Sequence, residues 1–152
     1  MATSDQVRSI LTRALAAWSV GSIAVGALVL LRRPGTRATG FARQSIAWGA
    51  VDLAIAGLSL RRRDPVADEA AQARSLRRLL LVNAALDVGY VGTGVLLWRA
   101  GRLRGRDSTG DGAGVVLQGA FLLVLDAACA SALRPVPAAR RAGALRGGTT
   151  RL

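Results

Sequence analysis

The chain has 152 residues, 51% of them apolar, yet it carries 21 basic residues against 9 acidic ones and a net charge of +12. It contains no His and no Lys, and Cys129 is its only cysteine. These absences exclude a bis-His haem, a His-ligated metal, a Lys Schiff base, an internal disulfide and a Cys-based metal cage.

Apolar and charged residues are segregated into long apolar blocks and Arg-rich connectors. That is the pattern of a polytopic membrane protein, since a soluble helical bundle interleaves polar residues along every helix. No basic stripe with interleaved aromatics occurs, so no nucleic-acid partner is expected. Anionic lipid headgroups at the connectors account for the charge.

Met1 to Arg13 reads as a short amphipathic lead-in, with Val7, Ile10 and Leu11 set against Arg8 and Arg13. The first span follows over 14–31 and ends at Arg32-Arg33-Pro34. Arg-Arg-Pro in place of a small-residue cleavage site marks a retained helix and not a secretory signal. Gly21, Ser22 and Gly26 give it a small face, with Ser22 and Gly26 at the spacing that allows close helix contact. Trp18 and Trp98, near span ends, read as interface anchors.

A connector over 32–43 leads to the second span, 44–60, the shortest of the four. Gln44, Trp48 and Asp52 recur every four residues and share one face. The Arg61-Arg62-Arg63 run closes it, and Asp64 with Pro65 makes an N-cap and first turn for an Ala-rich helix. That helix can run unbroken past Arg74, Arg77 and Arg78 into the third span, 79–98. Here Asn83, Asp87 and Tyr90 fall within about 60° of one another on a helix turning 100° per residue. A carboxylate at that depth is costly unless it is paired, protonated or facing water.

Residues 99–114 read as a flexible Gly/Arg/Asp connector, and the fourth span, 115–133, carries Gln118 near its start and Asp126 near its centre. Residues 134–152, with two Pro and five Arg, read as a disordered basic tail. The amino terminus, the middle connector and the tail carry 2, 6 and 5 Arg, against 4 and 4 in the other two connectors. The heavier side is expected in the cytoplasm, which places both termini there and the protein in the cytoplasmic membrane.

The expected fold is therefore all-α, a four-transmembrane-helix bundle. Gln44 and Asp52 match Gln118 and Asp126 at an offset of 74, and Gly21 and Gly26 match Gly89 and Gly94 at an offset of 68. These matches suggest two tandem helical hairpins in parallel repeat. Ser19 of the first span stands opposite Asp87 and breaks the pattern.

The stretch Leu-Val-Asn83-Ala-Ala-Leu-Asp87-Val-Gly-Tyr90, followed by Gln118-Gly-Ala-Phe-Leu-Leu-Val-Leu-Asp126, resembles a family of small bacterial four-helix membrane proteins. In that family the third helix carries N-x-x-L-D-x-G-Y and the fourth Q-G-x-x-L-L-x-x-D. The second span departs, with Trp48-Gly49 and Asp52 where the family tends to show Trp-Asn and a second Asn. The resemblance implies the fold and carries no activity.

Three carboxylates, Asp52, Asp87 and Asp126, lie near mid-depth on three helices, with no Arg inside any span. They must be protonated, share protons, or bind a cation or cationic solute. Asn83, Tyr90, Gln44 and Gln118 can hydrogen-bond whichever form exists, and Trp48 and Tyr90 could line a cavity. Two readings stand. In one, the cluster is an intramembrane site for a proton, a metal cation or a small cationic solute, with transport if access alternates. In the other, these residues are interhelical hydrogen-bonding glue in a structural or accessory subunit, assembled with itself or a larger complex. The residues select no particular metal, no cofactor is expected, and no spacing marks a nucleophile–base pair, so an enzyme is not expected.

Overall fold

A computed structural model describes residues 2–32, 35–61, 68–104 and 108–133, which form four helices and, among the described residues, no strand. They are α1 (Ser4–Leu31), α2 (Thr36–Arg61), α3 (Glu69–Arg104) and α4 (Ser108–Ala132). By length and composition α1, α3 and α4 are long and apolar enough to cross a membrane.

Each helix is longer than the span read from the sequence. The lead-in is part of α1, which starts at Ser4 because Thr3 caps it: Thr3 Oγ1 accepts from the Gln6 N–H at 3.2 Å, and Gln6 Oε1 accepts from the Thr3 N–H at 3.0 Å. That reciprocal pair satisfies two of the orphan donors at a helix start. The expected connector over 32–43 shrinks, since α2 already begins at Thr36. The expected flexible connector over 99–114 is also largely helical, with α3 reaching Arg104 and α4 starting at Ser108. Gly and Asp there lowered the apparent helicity, but the glycines are where the two helices touch. The Ala-rich helix does run unbroken into the third span, and Asp68, whose Oδ1 accepts from the Ala70 N–H at 3.3 Å, sits at its start. The Asp64–Pro65 cap and the tail over 134–152 lie outside the described residues.

Packing is organised by small residues. On α1 the buried positions Thr12, Leu15, Ser19 and Gly26 recur at spacings of three, four and seven, and on α2 Ala42, Ser45, Asp52 and Ala56 do the same. A Cβ placed on Gly26 would lie 2.7 Å from the Ala42 carbonyl oxygen, and one on Gly49 would lie 2.9 Å from the Ser19 carbonyl oxygen, so α1 and α2 approach backbone to backbone. In the second hairpin a Cβ on Gly94 would meet the Val116 nitrogen at 2.9 Å and the Gly112 oxygen at 3.0 Å. Gly26 against Ala42 and Gly94 against Val116 fall at the same offsets, 68 and 74, as the sequence matches. Gly21 and Gly89 have open space around them and take no part.

The hairpins meet differently at the two ends. At the α2 and α4 starts, Gly110 and Gly114 sit directly against Arg37 and Gln44. At the opposite end Val7, Leu76, Leu80, Cys129, Ala130 and Leu133 form a buried apolar cluster joining α1, α3 and α4. There Glu69 reaches the first turn of α1, its carboxylate oxygens accepting from the Ser4 N–H at 2.6 Å and from Ser4 Oγ at 2.8 Å. Ser4, Glu69 and Leu133 thus mark one end of the molecule. Cys129 is a small apolar filler in this cluster.

Polarity is inverted relative to a soluble bundle. Asp52, Gln118, Asp87 and Asp126 are buried at 1–6% exposure, while Leu28, Leu96 and Val124 face outward at 56–69%. Water would penalise both arrangements; a hydrocarbon surround favours them.

Candidate functional site

A cavity of about 300 Å³ lies among the four helices. Asp52 and Trp48 of α2, Asn83, Asp87 and Tyr90 of α3, and Asp126 of α4 all line it. The helices that supply these groups are held by the small-residue seams. Asp52 is one turn past Gly49 on the buried stripe of α2, and Asp87 is seven residues before Gly94 on that of α3. Helix α1 contributes Leu11, Thr12 and Leu15 to the wall and no acid. Ser19, which stood opposite Asp87 in the repeat, turns its hydroxyl onto its own helix, 2.6 Å from the Leu15 carbonyl oxygen.

The Asp87 carboxylate is an electrostatic neighbour of both Asp52 and Asp126, and Asn83 hydrogen-bonds Asp126. One oxygen of Asp52 and one of Asp87, Oδ2 in each case, is buried with no hydrogen-bond partner. Buried acceptors of this kind are rare because each costs the full desolvation of the group. No Arg lines the cavity. Among the described residues no three acidic or thiol side chains converge tightly enough to hold a metal ion, so the acids surround a volume instead of chelating a point. Trp48 and Tyr90 meet edge to face, with centroids 5.3 Å apart and planes at 77°, bridging α2 and α3.

Gln44 and Gln118 stand outside this cavity's wall. Gln118 is a tie between α4 and α1: its Oε1 accepts from Trp18 Nε1 and its Nε2 donates to Ser22 Oγ at 3.1 Å. Gln44 lies 3.5 Å from Asp111 across the α2–α4 contact. The shared faces with Asp52 and Asp126 are real, but each Gln lies about two turns along the helix, where a neighbouring helix is already in contact. Trp18 is likewise no interface anchor; it stacks on Phe121 at 4.0 Å and 6°, half-buried between α1 and α4. Trp98 remains at an exposed helix flank, with Arg102 over its ring.

Thr12, Leu11 and Leu15 escaped the sequence reading because they straddle the start of the first apolar block. The spacing Thr12, Leu15, Ser19, Ser22, Gly26 was the signal that could have found them, since it marks one continuous inward stripe.

Three long apolar helices and buried acids beneath an apolar exterior fit a helical membrane protein, and the fold encloses an acid-lined internal cavity. Residues 14–127 match DUF6992, a family of unknown function, and the chain belongs to it. The matched stretch includes Asp52, Asp87 and Asp126. No curated protein and no solved structure matches the chain.

Proposed function

We propose that the protein is a multi-pass protein of the cytoplasmic membrane whose cavity binds a small cationic solute, and that this site serves transport. In this reading α2 is the fourth crossing and both termini face the cytoplasm. The observation that carries it is the pair of unpartnered, buried carboxylate oxygens of Asp52 and Asp87 lining one cavity that holds no Arg. A buried acid needs a proton or a cation to offset its desolvation. Spread acids around a volume favour a solute over a bare metal ion, while protons are the natural occupants of the same acids when the solute leaves.

A second reading, an accessory subunit whose polar residues only tie helices together, is favoured by the Gln118 bonds to Trp18 and Ser22. It would pair with itself or join a larger complex, its Arg-rich ends seated on anionic headgroups. One experiment separates the two. The detergent-purified protein is melted across a panel of inorganic and organic cations, with Asp87→Asn and Asp126→Asn alongside. The transport reading expects a cation-specific rise in Tm that both variants lose, followed by uptake in proteoliposomes. Equal Tm for parent and variants, indifferent to every cation, would leave the acids structural.

A further inference from the structure

We propose that the cavity takes an organic cation with an apolar body, admitted from the bilayer through the gap between α2 and α3. This rests on the cationic-solute reading and names its substrate class and route. Helices α2 and α3 nowhere approach within 8 Å, Cα to Cα, among the described residues, whereas every other adjacent pair does. Both nevertheless line the cavity. The Trp48 and Tyr90 rings cross that gap at one level; beside them it forms the cavity's open side, with an apolar rim in which Val51 and Ile55 on α2 and Leu86 on α3 are each about half exposed or more. In a bilayer those residues touch acyl chains, so the mouth faces hydrocarbon and not water.

The lining changes character from rim to wall. Tyr90, 45% exposed, belongs to the rim and holds Trp48 edge to face, while the Asp52 and Asp87 carboxylates on the same wall are buried with their free oxygens. An aromatic pair next to uncompensated carboxylates is the chemistry that recognises an alkylated ammonium, through an open ring face and ion pairing. A phospholipid phosphate is excluded by the same carboxylates. A small hydrated cation gains nothing from an apolar mouth and would strip its water to enter it.

The test uses the full-length protein in lipid nanodiscs and two probes of equal charge, benzyltrimethylammonium and tetramethylammonium, with sodium and magnesium as inorganic comparisons. Binding is followed by calorimetry. The aryl-bearing ion is expected to bind at least about tenfold more tightly than tetramethylammonium. The Asp52→Asn/Asp87→Asn pair is expected to abolish the difference, and Leu86→Trp, which crowds the exposed rim, to slow association. If tetramethylammonium or an inorganic cation binds and the aryl ion does not, the cationic site stands and the lipophilic class falls. If Leu86→Trp leaves the association rate unchanged, entry from the bilayer is overturned. If no cation binds the parent, both proposals fall together. The parent comparison of the two ammonium ions needs no variant, so misfolding of the Asn pair leaves the test intact.

Discussion

Gln118 shows how a single buried side chain can join two hairpins. It accepts from Trp18 and donates to Ser22 while almost wholly buried, at 1% exposure. Replacing it with Leu fills the space but leaves the Trp18 N–H without an acceptor in apolar surroundings. A loss of about 1–2 kcal/mol is expected for Gln118→Leu, measured by reversible unfolding in micelles. Glu69 acts at the other end of α1. The Ser4 backbone N–H, then the Ser4 hydroxyl, hold its carboxyl below the ordinary value of 4.5. A lowered pKa in the folded state means the contribution is complete above about pH 5 and lost as pH falls through the lowered value. Glu69→Gln should therefore lower Tm at neutral pH, and its difference from the parent should shrink as pH falls through the lowered value. A difference that is flat across pH would show that the charge plays no part. The acids Asp52, Asp87 and Asp126 were legible in the sequence as misfits in apolar blocks, because burial of a charge is conspicuous. Glu69 was not legible as a clamp, since its partner lies 65 residues away and nothing local points to it.

At the level of the helices, glycine divides into two populations that the sequence does not distinguish. Gly94 and Gly26 seat a neighbouring backbone, whereas Gly89 and Gly21 face open space. Ala at Gly94 would press its Cβ on the Val116 and Gly112 backbones, which cannot move aside independently, and should cost about 1–3 kcal/mol. Ala at Gly89 meets nothing and should stabilise by about 0.5–1 kcal/mol through helix propensity alone. Opposite signs in the unfolding midpoints of these two variants are the expected result; equal signs would contradict the observed packing. Helix existence was legible from apolar runs, but the ends were not. Connectors rich in Gly and Arg look irregular in one dimension, and only close backbone contact at Gly101, Gly110 and Gly112 shows why they stay helical. The offsets of 68 and 74 carried more meaning than the residues themselves, since they coincide in Gly26–Ala42 and Gly94–Val116.

For the whole molecule, the bond between Ser4 and Glu69 and the cluster of Val7 with Leu133 put the start of α1 and the end of α4 at one face. Reporter fusions at the amino and carboxyl termini should accordingly give the same answer, cytoplasmic for both, as the Arg distribution expects. One cytoplasmic and one external terminus would remove a crossing from the scheme. The gap between α2 and α3 was beyond the reach of sequence, because which pairs of helices touch depends on how seams of small residues combine in three dimensions.

The position of Asp87 along α3 has an electrical consequence. Arg78 lies nine residues before it and Trp98 eleven after, about 13 and 17 Å along the helix, so in the proposed membrane placement Asp87 would sit near the middle of a hydrocarbon layer about 30 Å thick. A monovalent cation brought there from either aqueous face crosses roughly half the membrane voltage, about 1.2 kcal/mol for every 100 mV. Occupancy would thus change roughly sevenfold per 100 mV. Loading on one side and release on the other would each feel half of the driving force.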